Sequence, residues 1–198
     1  MKIMGVYYRN DGDQTVPALL VWPDSSMIRS GKPVFLPSYP SGCSVVTALG
    51  IKIDRLGKTI ERKYASRYYN EVMPVAIVLS GKSAGELADH KEVSSSDIVA
   101  DYTVICGNEL HKESLSADST ATLKYETLDS EPIETATMDL SGAEDKIASA
   151  IVFAGKRNTL KTGDIVVLLD CSHTVPAQTD SKISVVIDNN ELLKFKLK

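Results

Sequence analysis

Apolar residues fall along this chain in short runs, and most runs have the two-residue period of a β-strand. Val45, Thr47, Leu49, Ile51 and Ile53 alternate onto one face of a single strand. Residues 72–79 are instead continuously apolar and rich in β-branched side chains, the pattern of a strand covered on both faces. Residues 2–8 and 18–22 are predicted as strands, parted by the turn-forming Asn10-Asp11-Gly12-Asp13. In 121–128, Leu123 and Tyr125 alternate with Lys124 and Glu126, and 165–169 has the composition of another buried strand. Residues 183–187 and 192–197 flank Asp188-Asn189-Asn190, a good hairpin connection.

Two segments have helical spacing. Ile60, Tyr64 and Tyr68 stand four apart within 60–69, with Arg62, Lys63, Ser66 and Arg67 on the remaining surface. Further on, Ser141 and Glu144 have the spacing of a capping box; Ile147, Ile151 and Ala154 form a stripe, and Gly155 suits a C-terminal stop. Residues 81–98 and 111–119 are polar and are expected to be mobile loops. Many strands, few helices and frequent turns predict an α+β fold that is mainly β. The length suits a single domain over 1–198, in which 1–40 is a candidate for a small N-terminal part.

Composition narrows the function only by exclusion. Hydrophobic residues make up 43% and charged residues 24%, ordinary for a globular protein with a real core. A net charge of −4 argues against nucleic acid, whose phosphates need a surplus of clustered Lys and Arg. No run approaches the length of a membrane span, and the apolar stretch at 3–8 is too short for a signal-peptide core. Three cysteines, Cys43, Cys106 and Cys171, are no disulfide framework and suit a reducing cytoplasm.

Candidate chemistry is sparse. Cys171-Ser172-His173 puts a thiol and an imidazole two apart, on one side of an extended backbone. Its bland reading is a loop with a solvated histidine; a zinc site would need a second Cys/His pair, and none has ligand spacing. His90 and His111 lie in polar stretches. The chain has no glycine-rich phosphate loop and no Gly-x-Ser-x-Gly elbow.

Three stretches, in order, resemble the fumarylacetoacetate hydrolase family. Leu49-Gly50-Ile51-Lys52-Ile53-Asp54-Arg55-Leu56-Gly57-Lys58-Thr59-Ile60, with Ala65 and Tyr68-Tyr69, resembles its central strand, its Gly-Lys turn and the helix beyond. Thr135-Ala136-Thr137-Met138-Asp139-Leu140 resembles a short turn before a helix. Thr159-Leu160-Lys161-Thr162-Gly163-Asp164-Ile165-Val166 resembles its Leu-x-x-Gly-Asp signature. Pro23-Asp24-Ser25-Ser26, Gly31-Lys32-Pro33-Val34 and the tail from Lys182 also fit. The resemblance implies a β-roll of mixed sheets with two or three helices, usually a homodimer. It implies hydrolysis, decarboxylation or isomerisation of acylpyruvate- and β-diketo-type acids on Mg²⁺ or Mn²⁺.

At the metal the resemblance fails. The family's Glu-x-Glu pair falls on Val46 and Ala48, and its Asp on Ile77. Aliphatic side chains cannot ligate a hard cation, so no cofactor is expected. The family's Thr-Gly-Thr-Pro substrate loop becomes Leu168-Leu169-Asp170-Cys171, the Lys before Pro23 becomes Trp22, and no His precedes His90. The expectation is a non-catalytic relative acting as a binding, regulatory or scaffold protein, with an active paralogue or a small molecule as candidate partner. One alternative is a hydrolase with altered chemistry at Asp170, Cys171 and His173. The other is a sensor whose pocket is lined by Trp22, Val46, Ala48, Ile77, Leu168 and Cys171.

Overall fold

The structure is a computed structural model that describes residues 1–94, 98–116, 118–127 and 133–198, without the side chains of 133–135, 138 and 170–172. Its centre is the antiparallel pair β4 (Cys43–Ile53) and β5 (Tyr69–Ser80). On one side β4 pairs with β10 (Ile165–Pro176), which is parallel to β1 (Lys2–Asp11), and β1 forms a hairpin with β2 (Gln14–Pro23). On the other side β5 pairs with β6 (Val104–Cys106) and with the short β7 (Leu110–His111); β6 is parallel to β3 (Met27–Arg29). Residues 1–40 therefore supply strands to both flanks of the large sheet. A second antiparallel sheet has the order β12 (Asn190–Lys196), β11 (Lys182–Ile187), β8 (Thr120–Glu126), β9 (Ile133–Asp139). This is the mixed-sheet α+β architecture the sequence predicts.

Both faces of the large sheet are covered, which is why 72–79 reads as an unbroken apolar run. On one face Val45, Ala76, Val78 and Ile105 meet Leu123, Val185, Leu193 and Phe195 of the second sheet. The far end of the same face packs Leu49, Ile51, Ile53 and Val166 against α2 (Ala143–Arg157) through Ile147, Ala150, Ile151 and Ala154. On the opposite face Val46, Ala48, Val75 and Ile77 are covered by α1 (Gly81–Ala88) through Ala84 and Leu87. Each large aliphatic side chain removed from water in this way contributes about 1.5–3 kcal/mol.

Several local expectations are corrected. Residues 60–69 form a 3₁₀ helix, Arg62–Tyr68, not an α-helix. Residues 81–98 open with α1, capped by the Ser80 hydroxyl, which accepts from Ser83 N at 3.1 Å. In 111–119, Lys112–Ser114 forms a 3₁₀ turn and the buried Ser119 donates to Asp188 at 2.6 Å. Part of the stretch expected as a turn, 135–139, is strand in β9; of the other expectations there, the end of 121–128 at Leu128 and the side chains of Thr135 and Met138 lie outside the described residues. The hairpin at Asp188 and Asn189 takes the double left-handed turn that suits those residues, with φ of 46° and 67°.

The helix α2 does not start with a capping box. Its N-cap is Gly142, left-handed at φ 66°, and no side chain caps it. The Ser141 hydroxyl instead donates to Asp139 at 2.6 Å on the surface. Gly155 is no stop either: it is buried within the helix, 3.4 Å from Ile60 as measured from the Cβ it lacks. Ser141→Ala is therefore expected to cost less than about 0.5 kcal/mol, and Gly142→Ala about 1–2 kcal/mol, because a Cβ is strained in the left-handed region. Urea unfolding of the two variants checks the order; a larger loss at Ser141 overturns it.

The Gly163-Asp164 signature anchors the start of β10. Asp164 is buried and accepts from Lys2 N at 3.0 Å, from Lys161 N at 2.9 Å and from the Lys2 ammonium. Burial alone would raise its pKa, but the Lys2 ammonium and the two amides outweigh burial and hold it below the ordinary value. A lowered folded pKa stabilises above the unfolded value near 4 and is lost as pH falls through the folded value. Asp164→Asn should cost about 1–3 kcal/mol at pH 7, with the gap from the wild type closing in strong acid. Unfolding midpoints from pH 7 to pH 2 measure this; a gap independent of pH overturns it.

Candidate functional site

The β4–β5 register brings the three suspected ligand positions together. Val46 lies directly opposite Ile77, and Ala48 lies one same-face step along, opposite Val75. Cross-strand Cβ atoms of such pairs are about 5 Å apart, so carboxylates here would converge. The side chains present are aliphatic and fully enclosed: Val46 and Ile77 are 0% exposed and Ala48 is 4% exposed. They belong to one apolar cluster with Leu79, Ala84, Leu87, Val93 and Ile98. Among the described side chains this place offers no oxygen donor to a divalent cation. Among the described residues no group of three His, Cys, Asp or Glu side chains is disposed to hold a metal ion.

Trp22 fills the same cluster from β2. It is completely buried, and its indole Nε1 donates to Ile98 O at 3.0 Å. The indole lies over Gly5: a Cβ at Gly5 would come within 2.7 Å of the ring. Glycine at this position of β1 is what lets an aromatic side chain occupy the space.

The second candidate group sits on an irregularity. Leu169 of β10 is opposite Ala48 and Thr174 is opposite Val46, so 170–173 bulge out against Thr47 alone. The side chains of Asp170 and Cys171 lie outside the described residues. His173 is described, and it does not face the apolar cluster. It lines a cavity of about 10 Å³ between the two sheets with Thr47, Leu49, Pro74, Leu123 and Val185. Its carbonyl accepts from the Thr47 hydroxyl at 3.3 Å. Such a space holds one water at most, so the imidazole is not placed to act in a cleft at Val46 and Ile77. Leu168 is also on the wrong face, since it packs with the α2 cluster, and Leu169 takes the position beside Ala48. Of the proposed pocket, Trp22, Val46, Ala48 and Ile77 come together as packed core.

Sequence reasoning missed α1, the element that closes this face. Its signals were Ser80 and Ser83 at capping distance and Ala84 and Leu87 three apart, masked by Gly81 and Gly85. It also missed a charged group at the opposite end of β4, where Lys52 bonds Glu71 and Glu109, each at 2.8 Å.

No protein-family model matches the sequence, and no curated protein matches it. Solved structures do. A protein of the fumarylacetoacetate hydrolase family from Yersinia pestis CO92 is 14% identical with a TM-score of 0.75, over 100% of this chain and 92% of that one. The fold is that of the fumarylacetoacetate hydrolase family. Fumarylpyruvate hydrolase from Pseudomonas aeruginosa, solved with Mn²⁺ and pyruvate, is similar at 13% identity and a TM-score of 0.75, covering 99% of this chain and 88% of its own. So is 5-carboxymethyl-2-hydroxymuconate delta-isomerase from Mycobacterium smegmatis, at 14% identity and a TM-score of 0.72, over 99% and 78%. Identities this low speak for the fold alone.

Proposed function

We propose that this chain is a non-catalytic relative of the fumarylacetoacetate hydrolases that acts as a binding, regulatory or scaffold protein. One observation carries the reading: Val46, Ala48 and Ile77 stand where the resemblance puts the metal's carboxylates, and they are sealed beneath α1 in a continuous apolar core. Among the described side chains there is no carboxylate for a Lewis acid, and the three positions are closed to solvent, which supports the reading. In line with the fold, a homodimer is proposed, and Phe35 at 72% and Leu56 at 66% exposure are apolar side chains left for contacts. Among the described residues no helix is long and apolar enough to cross a membrane.

The competing reading is a hydrolase or isomerase of acylpyruvate-type acids, and the likeness to two such enzymes favours it. An assay on acylpyruvates with added Mg²⁺ or Mn²⁺ separates the two. Turnover above the metal-only rate by the wild type would establish the enzyme and end the non-catalytic reading.

Restoring the carboxylates tests the placement of the site. In the triple variant Val46→Glu, Ala48→Glu, Ile77→Asp, three acids share a dry site, so burial and mutual repulsion raise their pKa values. Raised folded values mean the cost is largest at neutral pH and shrinks as pH falls towards them. The variant should lose several kcal/mol at pH 7, and millimolar Mn²⁺ should raise its melting temperature by mass action. The wild type should show no such rise. A folded variant indifferent to Mn²⁺ would mean that the three positions do not form the site, and single Ile77→Asp serves where the triple variant does not fold, its pH dependence running the same way.

A further inference from the structure

The sheet face that carries Val46 and Ala48 continues along β4 through Gly50 to Lys52, and along β5 from Ile77 through Val75 and Met73 to Glu71. α1 closes the Val46 end. Roughly 20 Å along β4, by the rise of an extended strand, the same face opens into a cleft of about 440 Å³. Met73, Ile165 and Cys106 form its floor, all buried. Arg29, Lys52 and Glu109 line it. Arg29 reaches this face because β3 runs parallel to β6 with Arg29 opposite Cys106.

The two cations differ. Lys52 is committed: the hydrogen bonds its ammonium donates to Glu109 and then to Glu71 raise its pKa and hold it between them. One ammonium with two carboxylates leaves that wall net negative. The guanidinium of Arg29 has no hydrogen bond or ion pair among the described residues, and the side chain is exposed. The floor is chemically quiet. Burial, above all, pushes the Cys106 thiol up to about 12, with Arg29 lowering it and Glu109 raising it, so the thiol stays protonated and is no nucleophile at neutral pH.

We propose that this cleft binds a small monocarboxylic acid with an apolar tail, the carboxylate on Arg29 and the tail on Met73 and Ile165. A guanidinium fork matches a carboxylate with two parallel hydrogen bonds. The volume is that of a small-molecule site, and an apolar floor beside polar walls suits a ligand with an apolar tail and a charged head. Lys52 is already shared by Glu109 and Glu71, so a second carboxylate finds no free lysine and meets Glu109, which selects a mono- over a dicarboxylate. The site is distant from Val46 and Ile77 and does not depend on whether the chain is catalytic.

Hexanoate is a suitable probe for the full-length protein. Titration followed by backbone amide resonances should give saturable shifts at Gly107, Asn108 and Gly163, which line the cleft. Hexanamide, and the dicarboxylate hexanedioate, should bind at least about tenfold more weakly, the former through loss of the charge-assisted hydrogen bonds. Arg29→Gln should weaken hexanoate by a similar factor with the unfolding midpoint unchanged, since the side chain has no internal partner to lose. No saturable shift at these amides in tens of millimolar hexanoate overturns the proposal. So does equal affinity for hexanoate and hexanamide, a comparison that needs no variant, or an Arg29→Gln protein that binds as the wild type does.

Discussion

The register of β4 on β5 is the constraint on which the rest of the molecule depends. Side chains alternate along both strands, so the pairing Val46 with Ile77 assigns every neighbouring residue to a face. Val45, Thr47, Leu49 and Ile51 go to the second sheet and α2; Val46, Ala48 and Gly50 go to α1 and Trp22. A slip of one residue would turn Thr47 into the dry cluster beneath α1 and Val46 towards His173. Each face would then lose shape complementarity at several fully buried positions, and each such change costs on the order of 1–5 kcal/mol. The hydrophobic sets of two layers are satisfied together by one register.

The same alternation explains how a single sheet face carries two different environments. Near the start of β4 its neighbours are Ile77, Leu79 and the α1 residues Ala84 and Leu87, and the face is sealed. Near the end of β4 the stripe reaches Lys52 and Glu71, beyond the reach of α1. A lysine there can remain hydrated along its head while its stem lies on Ile165. The dry end and the wet end are therefore properties of where α1 stops, not of a change in the strands themselves. Asp164 fixes the wet end from the other side, since it ties the first residue of β1 to the turn that enters β10.

Much of this was legible in the residues because burial on both faces writes itself into composition. The continuous run at 72–79 and the alternation at 45–53 identify the two central strands, and the Asp188-Asn189 pair fixes the last hairpin. Counting back from Arg55-Leu56-Gly57-Lys58 points to Val46 and Ala48, and counting on from Tyr68-Tyr69 points to Ile77. What escaped had weak local signals. α1 is eight residues with two glycines, held by packing on the sheet more than by propensity. β3 and β6 are three residues each, too short to show a period. Ser141 matched a capping box in spacing, but the left-handed Gly142 let the helix start one residue later and left the hydroxyl to Asp139. The bulge in β10 shifted His173 to the inter-sheet side, which no residue spacing announces. Lys52 was visible as the third same-face position after Val46, yet a charge at a strand end reads as solvated until a cleft surrounds it.

An aliphatic set at Val46, Ala48 and Ile77 is also physically coherent. Two converging carboxylates are tolerable in a dry site only while a cation binds them or one takes up a proton. If Ile77 were an aspartate and Val46 and Ala48 stayed aliphatic, a lone charge would be buried against Leu79 and Ala84 with no donor in reach. Such a group would shift its pKa upward and destabilise the sheet at neutral pH. A partly converted site is thus less stable than either a full ligand set with its metal or no ligand at all. Without a cation, a stable arrangement is the one seen here: side chains that fill the volume, a tryptophan on Gly5 and a short helix laid across them. Further along the same face, where α1 no longer covers the sheet, a large opening among the described residues is the cleft at Arg29 and Lys52.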